Sequence, residues 1–206
     1  MEQRDEAWFR TRAGKITSSR FGDLMAVTRS GPSASRANLI VTLALERITG
    51  SPEPTYQNDA MRRGTEMEPL ARGAYEALTG ELVESIAFVT HPELSFVGVS
   101  PDGYIGADGL VEFKCPASPA KHLASLRNGE HAREYRWQIQ GQLWVTGRAW
   151  CDVVSFDPRF PDGLQLAITR VHRDESAITE LEAACITAEA EVSALVAELQ
   201  ALRGAA

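Results

Sequence analysis

Apolar residues recur at helical spacing towards both ends of this chain, and in its middle they gather into short runs between turn residues. Residues 5–12 predict a short helix, with Asp5 as its cap and Trp8 and Phe9 on its apolar side. A second helical stretch starts at Thr17 or Ser18 and runs to about Val27. Segment 29–35 (RSGPSAS) is a loop by composition, 37–49 is helical and ends at Gly50, and 51–55, with two prolines, is again a loop. Residues 61–79 predict a longer helix, because Met67, Leu70, Ala71, Ala74 and Leu78 share a face and Gly80 stops it.

From residue 81 to 115 the period shortens. Apolar runs at 86–89, 96–99 and 110–113 are separated by His91-Pro92, Asp102-Gly103 and Asp108-Gly109. That pattern predicts a meander of strands, with a tight hairpin at Asp108-Gly109. Helices follow at 119–127 and 134–145, then strands at 150–156 and 164–171, then one long helix from 174 to about 202. The order predicts an α/β fold: a mixed β-sheet flanked by helices, with a long C-terminal helix. A single domain spans 1–206, made of an N-terminal helical part (1–60), an α/β core (61–171) and the C-terminal helix (172–206).

Composition adds little to this and removes some alternatives. A chain of 206 residues, 44% hydrophobic and 24% charged, can bury a core without staples. Its net charge of −7 argues against a protein that grips nucleic acid over its whole surface. Binding depends on where charges sit, however, and carboxylates that hold a metal also count as acid. Cys115, Cys151 and Cys185 are far apart and form no C-x-x-C pair, so zinc and iron–sulfur sites are not expected and a reducing compartment is. The charged start of the chain is not a signal peptide, and no stretch is apolar enough to span a membrane. A cytoplasmic protein without membrane contact is expected.

The chemistry gathers around Ser100-Pro101-Asp102-Gly103-Tyr104 and Val111-Glu112-Phe113-Lys114-Cys115-Pro116. Alternation along a strand puts Glu112 and Lys114 on one face and turns Phe113 into a core. Such a pair could be an exposed ion pair. Its apolar neighbours point instead to a buried sheet, where charges need each other, a metal or a ligand. Asp102 alone could be a turn residue before glycine. Placed across the hairpin from Glu112, it supplies a second carboxylate for one hard cation, with Lys114 beside them to hold an attacking water. Phosphodiester hydrolysis needs such a set.

Pro101-Asp102 followed by Glu112-Phe113-Lys114 resembles the PD-(D/E)XK nuclease motif, with its restriction-endonuclease-like core. The longer strings resemble the lambda exonuclease or YqaJ-type viral recombinase family. The likeness extends to WFRTRAGKITSS (8–19), Gly64-Thr65-Glu66-Met67-Glu68, the Tyr135-Arg136-Trp137-Gln138-Ile139-Gln140 helix, and Phe156-Asp157-Pro158-Arg159, in family order over about residues 5–170. The resemblance implies a magnesium-dependent exodeoxyribonuclease, with manganese as a substitute. It would degrade double-stranded DNA ends 5′→3′ for phage-type recombination. A single-strand annealing protein would be its partner and a homo-oligomer, a trimer, its assembly.

By the same resemblance Asp102, Glu112 and the Phe113 carbonyl would bind metal and Glu68, rather than Glu66, would assist. Lys114 would activate water, Gln138 would position it, and Tyr135 would approach the scissile phosphate. Arg12, Ser19 and Ser100 would hold the 5′-phosphate, a role that suits a planar guanidinium with two hydroxyls. Outside the family, Glu68 reads as a solvated helix glutamate, Arg12 as a surface charge and Ser19 as a helix-start hydroxyl. The family's further acid upstream of the Asp102 position falls here on His91-Pro92-Glu93, so Glu93 takes that role or the role is absent. Tyr135, Gln138 and Gln142 share one helix face, and Gln140 and Gln142 read as structural. A structure-specific endonuclease of the same fold and a non-catalytic DNA-binding protein are the alternatives.

In the last helix Ile178, Leu181, Cys185, Ala188, Val192, Leu195, Leu199 and Leu202 form a seam at spacings of three and four. It packs along its own domain or forms a subunit contact.

Overall fold

The computed structural model describes residues 3, 5–29, 31–53 and 59–204. Parts of the expected loops at 29–35 and 51–55, namely Ser30, Pro54 and Thr55, lie outside the described residues. The chain opens with α1 (Glu6–Arg12), whose first turn is held by the Asp5 carboxylate accepting from the Trp8 amide at 2.6 Å. Then come β1 (Ile16–Thr17), a 3₁₀ turn (Ser18–Arg20), α2 (Phe21–Met25), and a small ribbon of β2 (Val27–Thr28) and β3 (Gly31–Pro32). Helix α3 (Ala34–Thr49) starts on the Ser33 hydroxyl and ends on Gly50, whose φ of 66° is the left-handed cap a side chain disfavours. Helix α4 (Asp59–Thr79) leads into β4 (Val83–Glu84), β5 (Val89–Thr90), β6 (Val97–Val99), β7 (Gly103–Ile105) and β8 (Gly109–Lys114). After α5 (Pro119–Asn128), α6 (Glu130–Glu134) and α7 (Arg136–Thr146) come β9 (Trp150–Phe156), β10 (Leu166–His172) and α8 (Glu175–Gly204).

The main sheet has five strands in the order β10-β9-β8-β7-β4, with only β8 and β9 parallel. A parallel pair needs a crossover, and here it runs through α5, α6 and α7. That crossover lays α7 over one face of β8. Alternation along β8 then sorts its side chains. Val111 and Phe113 pack with Ala71 and Tyr75 of α4, while Leu110 packs with Ile139 and Leu143 of α7. Glu112 and Lys114 therefore face α7, as their spacing predicts. A second sheet, β1-β6-β5, ties the N-terminal segment to the strand that precedes Asp102.

Several elements differ from expectation. The hairpin turn falls on residues 106–108, and Gly109 is already in β8, paired with Ile105. The run 86–89 contributes only its last residue to a strand. Phe88 instead lays its ring where a Cβ on Gly98 would stand, 2.2 Å from the ring tip. The stretch 17–27 begins as a 3₁₀ turn and becomes α-helical only at Phe21. The expected helix 134–145 breaks at Tyr135, whose φ of −102° and ψ of 19° separate α6 from α7. The loop 29–35 carries half of the β2–β3 ribbon.

The seam on α8 is internal over most of its length. Ile178, Leu181, Cys185, Ala188 and Val192 are buried against α2, α3 and α7, whereas Leu202 is exposed. Arg36 and Arg47 of α3 each reach α8 through paired guanidinium bonds, to Glu191 and Glu189. Where α7 crosses this core, Gly141 lets the Phe21 ring approach. A Cβ there would lie 2.1 Å from Phe21 Cε2 and 3.1 Å from Leu181 Cδ2, both fully buried side chains. Gly141→Ala gains about 1 kcal/mol of helix propensity, but overpacking a closed core costs about 1–3 kcal/mol. We expect a net loss of about 1 kcal/mol, read as a lower urea midpoint at unchanged slope.

Candidate active site

Strand β8 ends in Glu112 and Lys114, and the crossover places two glutamines of α7 above them. Glu112 is 4% exposed, and three donors converge on its carboxylate. Lys114 Nζ and Gln138 Nε2 bond Oε1 at 2.7 and 2.6 Å, and Gln142 Nε2 bonds Oε2 at 2.7 Å. Gln138 turns its carbonyl to Lys114 at 3.1 Å, so lysine, glutamate and glutamine form a closed triangle. The Tyr135 ring lies 4.1 Å from Lys114 Nζ. Burial opposes the lysine's charge, but Glu112 and Asp102 outweigh it and hold the ammonium above the usual lysine range.

Asp102 stands just before β7, in the bend rather than in the strand. Its Oδ2 accepts the Phe113 amide at 2.6 Å, which pins it to the end of β8. Burial, followed by the charges of Glu112 and Glu68, pushes its carboxyl well above the usual carboxylate range. Two further acids thus bear on Asp102, an arrangement that a bound cation would relieve. Among the described residues no three His, Cys, Asp or Glu side chains cage an ion by themselves. A hard cation takes oxygen ligands such as carboxylates, carbonyls and water. Asp102 and Glu112 are the residues that could hold it, with Glu68 alongside and the Phe113 carbonyl available at the strand end.

The second group lies across the same cleft. Arg12 Nη1 donates to Ser100 Oγ at 3.1 Å, and Nη2 reaches Ser19 Oγ and Thr17 Oγ1, each at 3.4 Å. Burial and the nearby charge of Arg20 lower the guanidinium to about 10. Glu46, the nearby acid, has both oxygens on backbone amides, those of Gly14 and Glu53. One cleft of 1460 Å³ is lined by Arg12, Ser19, Glu68, Asp102, Glu112, Phe113, Lys114, Tyr135 and Gln138.

The residues to which the resemblance gives metal, catalytic and phosphate roles therefore fall in or against this cleft, Ser100 through Arg12. Glu93 does not. It sits in a turn, its amide on His91 Nδ1, and is absent from the lining. Gln140 is structural, joining His172 and Asp174. Gln142 is structural too, but within the site, since it donates to Glu112. Its signal was present in the shared face with Gln138. Trp8 was missed. Its indole N–H donates to Ser100 Oγ at 3.0 Å, and the Arg12 guanidinium stacks 4.0 Å over its ring.

A mixed sheet under helices, with an acid–lysine–glutamine cluster at a central strand end, puts the chain in the class of alkaline-exonuclease-like folds. It matches an alkaline exonuclease from Laribacter hongkongensis at 41% identity and TM-score 0.88, covering 97% of this chain and 98% of that one. The same enzyme in complex with dAMP matches at TM-score 0.89, with the same identity and coverage. The chain belongs to the YqaJ-like viral recombinase domain family, whose model matches residues 7–149. A phage-related exonuclease from Haemophilus somnus 129PT shares the fold, with TM-score 0.74 at 15% identity over 90% of this chain and 96% of that one. No curated protein matches the sequence. Among the described residues no helix is long and apolar enough to cross a membrane.

Proposed function

We propose that this protein is a metal-dependent exodeoxyribonuclease that degrades duplex DNA from its 5′ ends during recombination by strand annealing. One observation carries the reading: a hydrogen-bond-donor pocket and an acid–lysine cluster line the same cleft. Membership of the recombinase family and the likeness to the alkaline exonuclease support it.

Arg12, Ser19 and Ser100 take the terminal 5′-phosphate, and the next phosphodiester reaches Asp102 and Glu112. Asp102 and Glu112, with Glu68 and the Phe113 carbonyl, would hold magnesium, which would supply positive charge at the scissile phosphate and make water a stronger acid. Lys114 spends two of its three N–H groups on Glu112 and Gln138. The third is left to donate to the attacking water or to a phosphate oxygen. Gln138 and Gln142 hold Glu112, and Tyr135 backs the lysine. Water adds to phosphorus, the bond to the 3′ oxygen breaks, and that oxygen leaves with a proton. The products are a nucleotide 5′-phosphate and a shortened strand with a new 5′-phosphate.

The test is digestion of end-labelled linear duplex, with and without a 5′-phosphate, beside circular duplex. Release of mononucleotides from the 5′-phosphorylated linear form supports the reading. Cutting of the circle would make the protein an endonuclease. Chelation with EDTA is expected to stop the reaction, with activity restored by magnesium or manganese but not by calcium. Full activity in EDTA would remove the metal from the account. A homo-oligomer, a trimer, and a single-strand annealing partner follow from the family resemblance. Native mass measurement tests the first and co-purification the second.

A further inference from the structure

The Ser100 hydroxyl has two acceptor positions and one proton. Trp8 Nε1 donates to it at 3.0 Å and Arg12 Nη1 at 3.1 Å. Both acceptor positions are therefore taken, and neither donor can act as an acceptor, since indole and guanidinium nitrogens carry only protons. The hydroxyl proton has to point elsewhere. Among the described residues Ser100 Oγ donates to no protein group. Left to itself a serine hydroxyl rotates and serves as donor or acceptor as the partner requires. This one is fixed as a donor.

Trp8 acts on Arg12 as well. The guanidinium carbon stands 4.0 Å over the indole ring, and the Phe88 ring lies 5.7 Å from it on its own contact. Stacking fixes the plane of the fork, so Nη1 keeps its aim at Ser100 while Nη2 turns to Thr17 and Ser19. Trp8 sits one helical turn before Arg12 on α1, and the Asp5 cap on the Trp8 amide anchors that turn. The indole thus sets both the plane of the arginine and the polarity of the serine.

We propose that Trp8 is the positioning residue of the end pocket. It commits the Ser100 hydroxyl to donate and so tunes the site for a phosphate monoester, which at neutral pH offers mainly acceptor oxygens, over a 5′-hydroxyl end. This rests on the 5′-phosphate reading of Arg12, Ser19 and Ser100 above. A pocket in which Arg12 and Ser100 can only donate gains its strongest bonds from an acceptor-rich anion. A 5′-hydroxyl gives it one weak acceptor and leaves donors unmatched, which is costly in a partly closed site.

The test compares Trp8→Phe, Ser100→Ala and the double variant, on linear duplex with 5′-phosphate and with 5′-hydroxyl ends. Phenylalanine keeps a ring under Arg12 and loses the N–H. The preference for phosphorylated ends, as the ratio of kcat/KM values, is expected to fall about tenfold in Trp8→Phe, with the change in KM rather than kcat. Ser100→Ala is expected to lose at least as much. In the double variant Trp8→Phe adds nothing to Ser100→Ala, because Trp8 acts through that hydroxyl.

Additive losses, or an unchanged preference in Trp8→Phe, would overturn the proposal. So would a full preference in Ser100→Ala, which needs no folded Trp8 variant. Arg12→Ala separates the two levels. If it leaves end preference intact, the phosphate reading itself fails. If it abolishes the preference while Trp8→Phe keeps it, only the role of Trp8 fails.

Discussion

Lys114→Ala is expected to slow degradation of linear duplex in magnesium by about a thousandfold while leaving the fold intact. The size follows from what the ammonium does. It is the cation placed against both Glu112 and Asp102, and it keeps one N–H for the reacting groups. Its loss removes a charge from where negative charge grows on the phosphate, in a site whose dielectric is low. The fold tolerates the change because Lys114 stands at the edge of the cleft, its side chain 19% exposed, and Glu112 retains both glutamines. Lys114→Arg is not expected to rescue, since a planar fork cannot reproduce the point contacts of an ammonium on Glu112 and Gln138. Rates of nucleotide release, set beside unchanged melting temperatures, check both expectations. A Lys114→Ala protein of normal activity would take the lysine out of the chemistry.

Arg12→Ala is expected to lower kcat/KM on 5′-phosphorylated ends by about a hundredfold and to change 5′-hydroxyl ends far less. Charge-assisted bonds to phosphate are worth about 1.5–3 kcal/mol each, and the arginine has two edges to offer. Its hydrogen-bond partners are hydroxyls, not acids, and the nearby Glu46 carboxylate is bonded to backbone amides rather than to it. The surrounding charge balance matters here. The chain carries −7 overall, and the cleft that holds Arg12 and Arg20 is itself lined by more acids than bases, so Arg12 acts through its local bonds rather than through a basic surface. Arg12→Lys is expected to recover only part of the loss, because a single ammonium cannot bond Ser100, Ser19 and a phosphate edge at once. Equal losses on both kinds of end would make Arg12 a general DNA contact.

The fold was legible wherever one periodicity persisted. The α8 seam, the α4 helix and the alternation that puts Glu112 and Lys114 on one face of β8 all follow from apolar spacing. Local pattern failed where tertiary packing decides. Phe88 reads as part of a strand, yet it serves as a lid over Gly98. Tyr135 reads as mid-helix, yet the chain breaks there as it turns over the sheet. At the site, the strand spacing gave the acid and the lysine, and the family resemblance supplied the flanking residues. Gln142 reads as structural because a glutamine in a helix has no charge to explain. Only its place one turn after Gln138 marks it. Trp8 was read as an apolar anchor because its ring explains its position, and nothing in a sequence shows where an indole N–H points.

The two halves of the site differ in how far apart their parts lie along the chain. Gln138 and Gln142 are 26 and 30 residues from Glu112, and Lys114 is 2. Trp8 and Arg12 are 92 and 88 residues from Ser100, joined only when β1 docks beside β6. Short loops close at lower entropic cost and sooner than long ones. During refolding the acid–lysine cluster is therefore expected to assemble first and the end pocket last. Pulse-labelled hydrogen exchange would show protection at β8 and α7 preceding protection at β1. A chain at that halfway stage would hold the groups that cut before it holds those that choose where.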